Sequence, residues 1–230
     1  GMQEAMWPYA SATVKQALRS PVSWVLLAVG AFTGWFATSA AILALDEVGA
    51  QGQPLTISTA QLVGVLLTLW LIGRSLDEDR LSGFAAAADA SGPGATGRLL
   101  GRWLGATLAG AGLAVSTAFA ISTSAALQSP DGLLLLSTSI MACALVGAWC
   151  VLLGALWRGG GAVLVVFLLW VLGHLPWGVA PFLEGLAGRM LGGLLPGPRA
   201  AGTLATLGYT SAAVAGLLLV TLAVSRPAEA

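Results

Sequence analysis

Long runs without charged residues alternate with short charged segments along this chain. Six runs lack Asp, Glu, Lys and Arg, and they cover about residues 22–45, 55–73, 103–128, 132–157, 159–180 and 203–225. Each is close to or above the ~20 residues that a helix needs to cross a hydrocarbon core. Because backbone polar groups in lipid must be satisfied within the segment, runs of this length are helices. The pattern predicts an all-α integral membrane protein whose residues 1–230 form one transmembrane domain with six transmembrane helices.

The composition agrees with a lipid environment. Apolar residues make up 57% of the chain and charged residues 9%, whereas a soluble domain carries roughly 25% charged residues. The ten basic and ten acidic residues cancel, so no net charge attracts nucleic acid. The first partner that the sequence predicts is therefore the lipid bilayer.

The distribution of Lys and Arg predicts the orientation. With a cytoplasmic N-terminus, six spans place eight of the ten basic residues on the cytoplasmic side and only Arg189 and Arg199 on the other. Short cytoplasmic loops of membrane proteins are enriched in Lys and Arg. The sequence therefore predicts a multi-pass protein with both termini in the cytoplasm.

Two further segments are predicted to lie at the membrane surfaces. Residues 2–19 place Val14 and Leu18 on one helical face and Lys15 and Arg19 elsewhere, which is typical of a helix in the cytoplasmic interface. Between the fifth and sixth spans, apolar residues alternate with prolines and with Glu184 and Arg189. We expect a broken outer segment there, with one or two short helices at the outer leaflet.

The cytoplasmic loop 74–102 carries the densest charge. Residues 77–88 are predicted to form a short helix, with Asp77, Glu78 and Asp79 favouring its N-terminal end, and Arg80 follows directly. The sequence Ser91-Gly-Pro-Gly94 then breaks the chain before the third span. This loop is either a docking element for a soluble partner or a solvated connector, and the pattern alone leaves both open.

Small residues recur at intervals of four and predict close helix packing in lipid. Three such sets occur in the first, third and sixth spans: Gly30/Gly34, Gly97/Gly101/Gly105/Ala109 and Gly208/Ala212/Gly216.

Catalytic chemistry is missing from the sequence. A nucleotide-binding P-loop needs Gly-Lys-Ser or Gly-Lys-Thr, but the single lysine, Lys15, lies between Val14 and Gln16. We predict no catalytic residue, no bound cofactor and no metal site. Cys143 and Cys150 lie about 10 Å apart along one predicted helix, so they cannot form a disulfide with each other and are interpreted as packing residues.

The spans contain no Asp, Glu, Lys or Arg, and His174 is their one histidine. An intramembrane ionisable group is a functional candidate, here in a substrate pathway. The alternative is an imidazole bonded to the carbonyl that Pro176 frees from the helix. Carriers coupled to protons or sodium use intramembrane carboxylates, and none is present.

The layout resembles the permease subunit of ABC-2 type ABC transporters. The resemblance rests on six spans, cytoplasmic ends, an interfacial first helix, a broken outer segment and the first cytoplasmic loop. In that loop the acidic triplet 77–79, Ser82-Gly83, Pro93 and Gly101-Arg102 correspond to the acidic residues, Gly, Pro break and Gly-Lys of the family. Arg102 replaces the lysine, and alanines 85–88 replace larger aliphatics.

The resemblance implies a role for this loop. It would be the coupling helix that docks into a separate cytoplasmic ATPase, which binds ATP and Mg²⁺, through Asp77, Glu78, Asp79, Arg80 and Phe84. The chain would not be an enzyme by itself; it would form an export pathway in the bacterial inner membrane with a second permease copy, identical or similar. One alternative is a CcmB-like haem-exporter permease for cytochrome c maturation, which the Trp157-Arg-Gly-Gly160 turn resembles. Others are a non-transporting membrane scaffold or assembly factor and a small channel.

Overall fold

The computed structural model describes residues 2–44, 52–82, 94–121, 130–157, 161–172 and 204–225. These residues form seven helices and no strand: α1 (Met2–Arg19), α2 (Pro21–Ala44), α3 (Gly52–Ser82), α4 (Gly94–Ile121), α5 (Pro130–Trp157), α6 (Gly161–Leu172) and α7 (Leu204–Ser225). The all-α prediction is confirmed for this part of the chain.

Three of these helices have windows long and apolar enough to cross a membrane: Thr59–Glu78 in α3, Gly97–Ile121 in α4 and Ser139–Leu156 in α5. A fourth is added if α1 and α2 together count as one broken span. These helices identify the chain as a membrane protein. The count of six spans stays a prediction, and the outer segment between the last two lies outside the described residues.

The break between α1 and α2 bends the chain by 62°. Pro21 has no N–H group and cannot continue the hydrogen bonds of α1, but it suits the first position of a new helix. Ser20 caps that helix, because its hydroxyl accepts a hydrogen bond from the Val22 N–H at 3.2 Å. We call this bend the elbow.

Helices α3, α4 and α5 form the centre of the bundle. Gly64 of α3 meets the backbone of Gly110 in α4 and the sulfur of Cys143 in α5. Farther along, Leu76 of α3 packs over Gly154 of α5, so α3 and α5 run in the same direction. Helix α4 runs against them, and the space between the three is filled by aliphatic side chains such as Leu67, Leu71, Ile72, Leu145 and Val151. Helices α6 and α7 pack against α5.

The prediction of a short helix that begins at Asp77 is wrong. Helix α3 continues without interruption to Ser82, and α4 begins at Gly94. The acidic triplet therefore lies in the last turns of α3. With 31 residues, α3 is ~46 Å long and exceeds a hydrocarbon core of ~30 Å, so its polar end continues as helix beyond the apolar part. Residues 83–93 of the predicted loop lie outside the described residues.

The close packing expected from the small residues is confirmed in α2 and takes an unexpected form in α4. Gly30 and Gly34 of α2 face α3 and α4. Gly101 and Gly105 of α4, in contrast, face the amphipathic helix α1. Within the described part of the chain, Gly208 and Gly216 of α7 face open space.

Candidate docking end of the α3–α4 pair

The residues predicted to dock a partner lie where α3 ends. The side chains of Asp77 and Glu78 are exposed, and the backbone of Asp79 and Arg80 belongs to the last turn of α3. Four other predicted site residues fall outside the described residues: Phe84, His174, Glu184 and Arg189. The acidic residues of the predicted site therefore lie together at the C-terminal end of α3.

Arg74 organises the surface of this helix end. Its Nε donates to Glu78 Oε1 at 2.7 Å, with both side chains 50% exposed. Its guanidinium also lies over the ring of Trp70, 5.5 Å from the ring centroid, in a cation–π arrangement. An exposed pair of this kind contributes at most ~1 kcal/mol to stability. Its main effect is to hold the Glu78 carboxylate along the helix.

Arg102 ties the start of α4 to the end of α3. Its Nη1 donates to the backbone carbonyl of Ser75 at 2.6 Å. Ser75 is buried, and its hydroxyl donates to the carbonyl of Ile72 at 2.9 Å. A charged donor makes this hydrogen bond stronger than a neutral one. The ends of the two helices are therefore joined through a guanidinium and not through apolar packing alone.

The N-terminal helix packs beside this junction. The carbonyl of Met6 and the Cβ of Tyr9 lie against Gly101, and a Cβ built on Gly105 would be 2.6 Å from the Ala10 carbonyl oxygen. No residue larger than glycine fits these two positions at this separation. Helix α1 therefore packs against the N-terminal half of α4 and flanks the α3–α4 end.

A third set of contacts joins this region to α5. The indole N–H of Trp103 donates to the Ala144 carbonyl at 3.0 Å, and the same ring lies against Gly147. Leu76 packs over Gly154 on the neighbouring side. The exposed end of α3 therefore contacts α4 and α5 directly, while α1 packs on α4.

Three buried polar residues were not selected by the sequence reasoning. Gln61 of α3 is fully buried, and neither of its amide atoms has a hydrogen-bond partner; the hydroxyls of Thr107 and Thr117 in α4 are likewise buried without one. Gln61 is the only amide in the charge-free run 55–73. That isolation is the signal in the sequence, but a neutral amide does not interrupt a charge-free run and so does not stand out in the charge pattern.

The two cysteines are free and buried, as expected for packing residues. Cys143 lies beside Gly64 at the contact between α3 and α5. Among the residues that the structure describes, no three of His, Cys, Asp and Glu converge on a point where they could hold a metal ion.

Comparison with known proteins does not assign the chain to a family. No protein-family model matches it, and no curated protein is significantly similar to it.

Proposed function

We propose that this chain is the permease subunit of an ABC-2 type exporter, driven by a separate cytoplasmic ATPase. The observation that carries the proposal is the exposed acidic end of α3, which is joined directly to α4 through Arg102 and to α5 through Leu76. A solvated connector does not need such joints. A surface that receives force from a partner needs contacts with neighbouring helices, because these contacts carry the force to the helices in the membrane.

The coupling follows from the contacts of this end. The partner binds Asp77 and Glu78, and it also contacts Asp79, Arg80 and Phe84. When ATP closes the partner's subunits, they displace the end of α3. The bond from Arg102 to the Ser75 carbonyl transmits the displacement to α4, so that the helices tilt as one body. ATP and Mg²⁺ stay in the partner, and this chain performs no chemistry.

The export pathway lies between two copies of the chain, or between this chain and a similar one. The filled interior of the α3–α5 core supports this placement, since side chains such as Leu71, Leu145 and Val151 occupy it. In the full proposal six spans cross the bacterial inner membrane, with α1 at the cytoplasmic surface and both termini in the cytoplasm. His174 lies at membrane depth, and Glu184 and Arg189 lie on the outer side.

The first test is complex formation. The chain is co-expressed with the ATP-binding proteins encoded beside it and purified in detergent. We expect an ATPase to co-purify in wild type and to be lost in Asp77→Arg. The matched control is Glu47→Arg, which makes the same charge change in a loop predicted to face the opposite side of the membrane.

Three results would overturn the proposal. One is the absence of any ATP-binding partner in wild-type preparations, and another is equal loss of the partner in both variants. The third is a stable complex that, in vesicles supplied with ATP, accumulates no substrate; this result would favour the membrane scaffold. Conductance of the chain alone in bilayers would favour the channel, and loss of cytochrome c maturation on deletion would select the haem-exporter alternative within the same class.

A further inference from the structure

Helix α1 packs on α4 through one face, and the residues of this face are small. Ala10, Thr13 and Ala17 are all buried, and Ala10 and Thr13 lie against Gly105 of α4. With 3.6 residues per turn, these three positions lie within about 60° of one another around the helix axis, and the opposite side of α1 is centred on Lys15. The remaining surface of α1 is therefore divided into two flanks, one on each side of the packing face.

One flank of α1 is apolar. Trp7, Val14 and Leu18 fall within about 40° of one another around the axis. Trp7 and Leu18 are among the most exposed large apolar residues of the chain. Val14 and Leu18 also line a cavity of about 310 Å³, together with Leu108 and Gly112 of α4. We call these three residues of α1 the apolar flank.

The position of the cavity on α4 orients α1 relative to the membrane. The apolar window of α4 runs from Gly97 to Ile121. Helix α1 contacts α4 at Gly101 and Gly105, close to the start of this window, whereas the cavity extends to Ser116, farther into it. The apolar flank therefore faces the interior of the membrane, and α1 lies near the membrane surface at which α4 begins.

The other flank of α1 is basic. Lys15 and Arg19 lie one turn apart and are both exposed, about 80° and 120° around the axis from the centre of the apolar flank. Among the residues that the structure describes, neither side chain has an ion-pair partner, and the sequence has no acidic residue between Glu4 and Asp46. Two uncompensated positive charges therefore point away from the interior of the membrane, toward the level of the phospholipid headgroups.

We propose that the basic flank of α1, formed by Lys15 and Arg19, binds the headgroup phosphate of an anionic phospholipid. Charge complementarity selects an anionic headgroup over a zwitterionic one, because only the anionic headgroup carries a net charge that attracts the two cations. An acidic protein surface would offer the same charge, but the exposed apolar flank beside the basic one is typical of a helix that lies in lipid. The site uses none of the residues assigned to ATPase docking, so it holds whether or not the chain is a permease.

The first test compares lipid affinities of the purified full-length chain by native mass spectrometry, with phosphatidylglycerol and phosphatidylcholine of the same acyl length. We expect wild type to bind the first phosphatidylglycerol about 25-fold more tightly, since each basic residue near an anionic lipid contributes about fivefold. Lys15→Gln and Arg19→Gln should each lower this ratio about fivefold, and the double variant should bring it close to one.

Two matched variants separate charge from structure. The exchange Lys15→Arg with Arg19→Lys keeps both charges and should keep the preference. Ala12 is exposed on the same flank as Arg19, so Ala12→Lys added to the double Gln variant returns one charge to this flank and should restore a preference of about fivefold.

A second experiment tests the orientation of α1 in lipid nanodiscs. Lys15→Cys and Leu18→Cys place thiols at two positions that are both exposed in the protein but lie on different flanks. A charged maleimide that does not enter hydrocarbon should modify Lys15→Cys rapidly and Leu18→Cys slowly. The native cysteines are buried and should contribute little to the reaction.

Several results would overturn the proposal. Equal affinities of the wild type for the two lipids would remove the headgroup preference, and a full preference in the double Gln variant would place the lipid elsewhere. Equal reaction rates of the two thiols would show that the apolar flank does not face hydrocarbon. A wild type without lipid preference, from which the double Gln variant loses a bound acidic protein, would assign the basic flank to a protein partner instead.

Discussion

The guanidinium of Arg102 and the backbone carbonyl of Ser75 lie 2.6 Å apart and join two helices across 27 positions of sequence. Ser75 lies about two turns before the end of α3, and the charged guanidinium makes the hydrogen bond to its carbonyl stronger than a neutral one. A cation from α4 is therefore well matched to this position. The bond joins the two helices seven residues before α3 ends and eight residues after α4 begins.

We expect Arg102→Gln to lower the free energy of unfolding by about 1.5–3 kcal/mol, the range for hydrogen bonds to charged groups. Arg102→Lys keeps a charged donor and should recover part of the loss. SDS titration followed by circular dichroism measures both. Arg74→Gln is the control, because its pair with Glu78 is exposed and should change the free energy by less than about 1 kcal/mol; a larger effect there than at Arg102 would contradict the assignment.

The packing of α1 predicts opposite outcomes for the same change at two glycines of α4. Gly105→Ala places a methyl group 2.6 Å from the Ala10 carbonyl oxygen, and overpacking of this kind costs about 1–3 kcal/mol. Gly112→Ala meets no atom within 4 Å and should raise helix stability by about 0.5–1 kcal/mol.

Limited trypsin digestion provides the readout, because Lys15 and Arg19 are exposed on α1. Cleavage at these residues should become faster in Gly105→Ala, where α1 is displaced, and should not become faster in Gly112→Ala. Equal rates in the two variants would mean that α1 does not depend on this contact.

Gln61 predicts a stabilising substitution. Its amide atoms are buried without a partner, and replacement of such a group by an apolar one of similar size is neutral or favourable. We expect Gln61→Leu to raise the thermal unfolding temperature of the detergent-solubilised chain by a few degrees, as ~1 kcal/mol does in domains of this size. Gln61→Ala, which leaves a cavity, should lower it. A lower temperature for the Leu variant would show that the amide is bonded in the protein.

Burial predicts the reactivity of the two cysteines. Cys143 and Cys150 have no exposed surface, so N-ethylmaleimide should leave both unmodified in the folded chain and modify both after SDS unfolding. Asp77→Cys adds an exposed thiol at the end of α3 and should react at once. Rapid loss of a native thiol in folded protein would contradict the packing between α3 and α5.

The helical class and the helix positions were predictable because charge-free runs of this length have no other stable form in lipid. Their ends were not, since α3 continues from the predicted end of the span at residue 73 to Ser82 through five charged residues. Hydropathy marks where a helix leaves the apolar core, while the bond from Arg102 to Ser75, which supports the extension, comes from a distant segment. The acidic triplet, whose propensity favours a helix N-terminus, lies instead in the last turns of α3.

The sequence located the charged residues of the candidate site, but it did not show the contacts that join them to neighbouring helices. The charges of Asp77 and Glu78 could be located from the sequence, and so could the glycines of α4. The sequence could not show that Gly101 and Gly105 receive α1, because spacing predicts that a helix approaches and does not identify which one. The cavity beside the elbow is lined by residues of four helices, α1, α2, α3 and α4, and no local pattern encodes it.

The contact between α1 and the glycines of α4 also constrains the order of synthesis. Ala10 leaves the ribosome roughly ninety residues before Gly105, a delay of about 5–20 s at common elongation rates. During that interval the glycines of α4 that α1 contacts have not yet been made. The amphipathic pattern of α1 allows it to stay at the membrane surface until then. Nascent chains arrested before and after Gly105 should therefore differ in trypsin cleavage at Lys15, with protection gained only once α4 has been made.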